Sequence, residues 1–253
     1  MSKNFGNPGN FALAESRRKL NRFLFCAIFG MLGVGYVCGL QTGLAFSRKP
    51  ISVVVFILIL ILIASVYYTR RYMKRFLDKL SEEAVSYRKG ADGEALIADD
   101  LSDLPDTYSV FHDLTHPSIG GNIDHVVVGP TGVFALETKN WKGLVTLSGQ
   151  GTLTVDGKHD HTKDGKVILG RALNLKKKIE ALSNISTFVQ AVMVFPIASV
   201  SVEQGTRCNL DVQSRKTLED YLKRSSNSSR TLTPQQIATI TRDLNALFKP
   251  AAQ

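Results

Sequence analysis

The sequence predicts an α/β domain behind a two-helix apolar hairpin. Three observations carry this expectation: two long uncharged runs near the N-terminus, a lopsided distribution of charge, and, beyond residue 90, a succession of helix, three strands, helix and strand. At 253 residues the chain has room for one ordinary globular domain and a smaller appendage.

The hairpin comes first. Residues 23–46 and 51–68 carry no charged side chain, and each run is close to the roughly 20 residues that a bilayer core asks of a helix. A cleaved signal peptide is the competing reading of the first run, but that run is too long and a second follows it almost at once. Charge supports the hairpin. Residues 1–89 hold 14 Lys/Arg against 4 Asp/Glu, and residues 90–253 hold 17 against 18, so the formal +9 belongs to the N-terminal part. The cations flank the runs: Lys3, Arg17, Arg18, Lys19 and Arg22 before the first, Arg70, Arg71, Lys74, Arg75 and Lys79 after the second. By the positive-inside rule the expectation is a multi-pass protein of the inner cell membrane, its domain and both termini cytoplasmic. The high isoelectric point then reports topology and attraction to anionic lipid rather than a DNA-binding surface.

Five segments follow: a basic N-terminus at 1–22, the transmembrane hairpin at 23–68, a helical stalk at 69–89, the α/β domain at 90–215 and C-terminal helices at 216–253. Gly35, Gly39 and Gly43 share one helix face, where a backbone can approach closely. That partner is either the second span or another copy of the chain. Cys26, Cys38 and Cys208 offer no disulfide framework in a reducing compartment and read as packing residues.

The stalk is charged and helix-favouring, and the glycines from 90 to 93 should break it. Asp92 is a fair N-cap for a helix over 93–104 that Pro105 closes. Ile97, Leu101 and Leu104 stack on its apolar face, with Glu94 at the edge of that face. Glu94 either points inward or complements the helix dipole from the first turn. Strands are expected over 108–114, 123–128 and 133–139, the last two joined by a tight turn at Gly129-Pro130-Thr131-Gly132. If Pro130 and Thr131 form the turn, Asp124 falls opposite Glu137, unless a bulge at Gly132 slips the register by one. Short strands at 144–147 and 152–155, a basic helix at 165–182 bearing Arg171, Lys176, Lys177 and Lys178, and a continuously apolar, central strand at 189–195 come next. A strand near 207–212, a flexible linker at 225–229 and helices at 217–223 and 233–248 complete the chain.

On a strand, Glu137 and Lys139 share one face while Thr138 points away. Two carboxylates opposite each other repel, so something positive belongs between them. A hard divalent cation suits two carboxylates and water; a salt-bridged cluster with Lys139 is the alternative. Val126, Val128, Val133 and Ala135 lie on the same face and mark it as buried, where ionised groups are costly unless paired or bound to metal.

These residues carry a resemblance. The strings Gly90-Ala-Asp-Gly-Glu94 and Asn122-Ile-Asp-His-Val-Val-Val-Gly-Pro-Thr-Gly-Val-Phe-Ala-Leu-Glu-Thr-Lys-Asn-Trp-Lys-Gly143 are similar to the nuclease-related domain (NERD), a branch of the PD-(D/E)xK nuclease-like superfamily, over roughly residues 89–196. The resemblance implies a restriction-endonuclease-like αβββαβ core. It implies Asp124 and Glu137 as ligands of Mg²⁺ (or Mn²⁺), Lys139 placing the attacking water or stabilising charge on the phosphate, and Glu94 completing the site. The implied partner is nucleic acid, DNA first, and the implied reaction is phosphodiester hydrolysis. A catalytically inactive module that binds nucleic acid or a protein partner is the rival reading. One departure stands out: family members often carry an Asn-Pro-x-x-Gln-like element on the next helix, where this chain has Asn174-Leu-Lys-Lys-Lys178.

The remaining candidates read as structural. His112 and His116 lie in a strand and loop rather than on a helix that would present them to zinc. His125 points away from Asp124, and His159 and His161 fall in a polar loop. Trp141 either anchors the strand end in the core or stacks on a base, and the lysine run either contacts phosphate or is solvated.

Overall fold

The computed structural model of the chain describes residues 2–6, isolated helical positions between 14 and 39, and residues 53–203, 209–224 and 231–248. Two compact units emerge, one of residues 1–12 with 89–253 and one of residues 13–88. The second unit is helical where described, and it exposes large apolar side chains such as Phe25, Phe29, Leu60 and Ile63.

The expected membrane hairpin requires correction. No helix among the described residues is long and apolar enough to cross a membrane, so a multi-pass membrane location is not supported. The second expected span lies in a 50-residue helix, α1 (Val53–Ser102). Its uncharged part covers only residues 53–69 before Arg70, short of the roughly 20 residues a bilayer core requires. Much of the first expected span, together with the 47–50 turn, Gly43, Cys26, Cys38 and Cys208, lies outside the described residues. Around Gly35 and Gly39 an added Cβ would meet nothing within 4 Å among the described residues.

The larger unit is a mixed α/β fold. Its main sheet runs in the order β1 (Lys3–Phe5), β2 (Ser109–His116), β3 (Gly121–Gly129), β4 (Gly132–Thr138), β8 (Val189–Phe195), β10 (Leu210–Ser214). Strands β2, β3 and β4 form an antiparallel meander, while β8 is parallel to both β4 and β10. Between β4 and β8 the chain builds a second sheet from β5 (Leu144–Leu147), β6 (Leu153–Val155) and β7 (His159–Asp160), joined by β9 (Ser199–Val202). It then enters α2 (Thr162–Ser183).

Alternation along the strands sorts the core into two layers. Val126, Val128 and Ala135 point to one side and pack with Ile168, Ala172, Leu175 and Ile179 of α2. Ile240 and Leu244 of α4 (Pro234–Phe248) join this layer. Val127, Phe134, Leu136 and Val192 point to the other side, where they meet Ile97 and Leu101 of α1 and Leu218 and Leu222 of α3 (Arg215–Lys223). Strand β8 is buried along its whole length between β4 and β10, the interior position its continuous apolarity indicates.

Several elements differ from expectation. Helix α1 does not break at Gly90–Gly93, although interior glycines cost a helix about 1 kcal/mol each. Gly93 is retained for space: a Cβ there would lie 3.0 Å from Cβ of Asn140. Asn140 reaches past it to donate to the Lys89 carbonyl at 2.6 Å. Because the helix starts far upstream, Asp92 caps nothing and Glu94 has no helix N-terminus to complement. Strands β1, β7 and β9 add to the expected set; β1 and β7, of three and two residues, are too short to show a period.

Candidate functional site

The β3–β4 register places the acids. Observed pairs run from Gly129↔Gly132 to His125↔Leu136, the expected register without a bulge, and one step further puts Asp124 across from Glu137. At that step the ladder gives way to side-chain bonding: the Thr138 N–H donates to Asp124 Oδ2 at 2.7 Å. Asp124 Oδ1 has only a long contact, 3.4 Å, from the Asn122 amide, which also reaches Asp113 Oδ1 at 3.3 Å. Asp113 adopts φ +56°, a left-handed conformation that Asp tolerates better than most residues. On either side of it, Phe111 and Leu114 both join the same core layer.

Both acids are buried, each about 8% exposed, but their surroundings differ. Glu137 is fully compensated, with Lys139 Nζ donating to Oε1 at 2.8 Å and Arg171 Nη1 donating to Oε2 at 2.9 Å. Among the described residues, no cation is in contact with Asp124. Burial pushes its carboxyl well above the usual carboxylate range, the charges of Glu137 and Glu94 push it further, and the Thr138 bond and the charge of Lys139 oppose them. Glu94, half-buried on α1, therefore acts on Asp124 through its field. Burial alone would lower Lys139, yet Glu137, Asp124 and Asp164 outweigh it and raise the ammonium above its ordinary value. Lys139 is thereby held in its protonated form at neutral pH.

Two partners were not read as site residues in the sequence. Arg171 sits on the α2 face that Ile168 and Leu175 bury, and a cation inside an apolar helical stripe was the available signal. Asn122 lies two residues before Asp124 on the same strand and so on the same face.

Other candidates fall elsewhere. His112 and His125 are buried and joined Nδ1 to Nδ1 at 2.8 Å. His116 caps the short 3-10 turn Pro117–Ile119. His159 is exposed, whereas His161, expected in solvent, is half-buried with its ring 4.1 Å from Trp141. Trp141 lies also 5.3 Å from Phe195 and packs on the core, which favours the anchoring role. Lys177 is exposed, while Lys176 and Lys178 are partly covered. Among the described residues no group of three or more His, Cys, Asp and Glu side chains could hold a metal ion. A groove of about 510 Å³ lined by Phe5, Pro130, Ile237 and Arg242 includes none of the acids above.

Residues 89–196 match the family model of NERD, the nuclease-related domain. An uncharacterised protein of Bacillus anthracis is 40% identical over 73 residues, covering 27% of this chain and 34% of that protein. The match thus spans about a third of that relative's length. No solved structure matches the chain. Asp124, Glu137, Lys139 and Glu94 all fall inside the matched segment, and the match suggests a nuclease-related function. Residues 89–196 of this chain thus carry the match to a nuclease-related domain, consistent with the PD-(D/E)xK nuclease-like superfamily.

Proposed function

We propose that this domain is a metal-dependent nuclease with a restriction-endonuclease-like core, hydrolysing phosphodiester bonds of nucleic acid, DNA first, at Asp124, Glu137, Lys139 and Glu94. The single observation that supports it best is Asp124: a buried carboxyl whose ionisation Glu137 and Glu94 oppose, with no cation among the described residues in contact. A hard divalent cation, Mg²⁺ or Mn²⁺, fits that imbalance, since Mg²⁺ is commonly held by one or two carboxylates and completed by water and phosphate. Asp124 and Glu137 would hold it. When bound, such an ion supplies an acidified water and neutralises charge that develops on the phosphate. Lys139, kept protonated by its acidic neighbours, adds a fixed positive charge for the phosphate. Glu94 strengthens the local negative field from the α1 side.

A second reading has its own support. Glu137 is already satisfied by Lys139 and Arg171, as in a salt-bridged cluster of a non-catalytic module. Incubation of the full chain with DNA and RNA, with Mg²⁺ or Mn²⁺, separates the two. The nuclease reading expects cleavage that chelator abolishes and that falls at least about 100-fold in Asp124→Asn and Lys139→Ala, the scale of losing a main electrostatic group. Nucleic-acid binding without cleavage supports the module instead.

A further inference from the structure

Resting on the metal-dependent reading above, we propose that Arg171 is a positioning residue that, by holding Oε2, fixes the carboxylate plane of Glu137, a side chain that would hold the divalent cation. Three observations converge on it.

The first is the division of the carboxylate between two unlike cations. Arg171 Nη1 holds Oε2 at 2.9 Å and Lys139 Nζ holds Oε1 at 2.8 Å. An ammonium is a point charge on a flexible stem, whereas a guanidinium is a rigid planar fork that sets direction. Lys139 also feels the charges of Asp124 and Asp164, so Glu137 is not the sole acid acting on it. Arg171 holds the opposite oxygen.

The second is the seat built for the guanidinium. Gly121 adopts φ +140°, and a Cβ there would lie 3.1 Å from Nη2 and 3.2 Å from Nε of Arg171. The planar group therefore lies against bare backbone. Three residues along α2, Asn174 donates to the Ile119 carbonyl at 3.1 Å and ties the loop before Gly121 to the same helix. Ile168 and Leu175, fully buried, pin that helix to the sheet. The Asn174 element that departs from the family pattern thus contributes by holding the loop on which Arg171 rests.

The third is an unmet demand: Arg171 Nε is buried without a hydrogen-bond partner. Buried polar atoms are nearly always satisfied, and an exception calls for an explanation. With Nη1 committed to Glu137, Nε is left on the side where Gly121 offers bare backbone.

The test is Mn²⁺ affinity of the full chain, measured by calorimetry on wild type, Arg171→Lys and Arg171→Met, with thermal melting to follow the fold. Loss of an outer residue that orients a metal ligand weakens metal binding by about 10–100-fold, and that loss is expected for Arg171→Met. Arg171→Lys, which keeps the charge but not the fork, is expected to recover part of it. Unchanged or tighter Mn²⁺ binding by folded Arg171→Met overturns the proposal. Should Arg171→Met fail to fold, Arg171→Lys decides alone, and wild-type affinity there overturns it equally. A wild type that binds no Mn²⁺ removes the metal-dependent reading and this proposal together, while Mn²⁺ binding indifferent to Arg171 removes this proposal only.

Discussion

His112 and His125 meet across β2 and β3 with their rings edge to face, 5.1 Å between centroids. A Nδ1 to Nδ1 hydrogen bond holds one proton, and His125 Nε2 is buried without a partner. A proton on that Nε2 would be an orphaned donor, so we assign it to His125 Nδ1, which donates to His112 Nδ1. Burial lowers His112 to about 4 and, with the charge of His112, lowers His125 to about 3. In the unfolded chain both titrate near 6.5. Their contribution to stability is therefore complete above about pH 6.5 and is lost as pH falls toward 4 and 3. Asp124 has the opposite sign: its raised carboxyl favours the fold below the unfolded value of 3.8 and weakens it as pH rises through the folded value. Proton NMR separates the two. Of the five histidines, His112 and His125 are expected to show no protonation shift between pH 8 and 5; titration of either near 6.5 contradicts the buried pair. Strand alternation made it legible that His125 points away from Asp124, but not that it meets His112, because nothing local gives the β2–β3 register.

Elements show where a sequence pattern suffices. The turn Gly129-Pro130-Thr131-Gly132 and the alternation around it specified the β3–β4 register, and the structure keeps it. Tight packing explains the first glycine, since a Cβ at Gly129 would lie 2.2 Å from the Tyr108 ring. Gly129→Ala is expected to cost about 1–3 kcal/mol by overpacking, read as a lower urea midpoint with an unchanged slope. Helix α2 was legible from its spacing, and its Leu175 is fully buried. Leu175→Ala is expected to cost about 2–5 kcal/mol; a loss under 1 kcal/mol would mean that α2 is not the wall of this core. The unbroken course of α1 was not legible, because packing of Gly93 against Asn140 outweighs the local preference of glycine for a break. Strand β9 was not legible because its alternation, Ser199-Val200-Ser201-Val202, offers only two valines, too few to set a period.

At the scale of the molecule, the N-terminal residues belong with the distant domain. Lys3–Phe5 adds a parallel strand beside β2, and the Phe5 ring stacks on Phe111 at 4.8 Å. Phe5→Ala is expected to lower stability by about 1–3 kcal/mol, a partly buried aromatic's share of packing and burial; an unaltered melting curve would show that this edge contributes nothing. The sequence places those residues in a basic N-terminal segment, since contacts between residues 5 and 111 leave no local trace. The same limit applies to the expected hairpin: uncharged runs gave its length, but the described helix meets its charges too soon to span a bilayer. The acids fared differently, because residues 124 and 137 are joined by one short turn and the pattern that pairs them is local. That pair carries the account. The most direct measurement is calorimetric titration of Mn²⁺ into the full wild-type chain and into Asp124→Asn. The account predicts binding by wild type and none by Asp124→Asn, with the metal-free variant at least as stable at neutral pH because it no longer buries an ionisable acid. Equal Mn²⁺ binding by both proteins, or none by wild type, contradicts it.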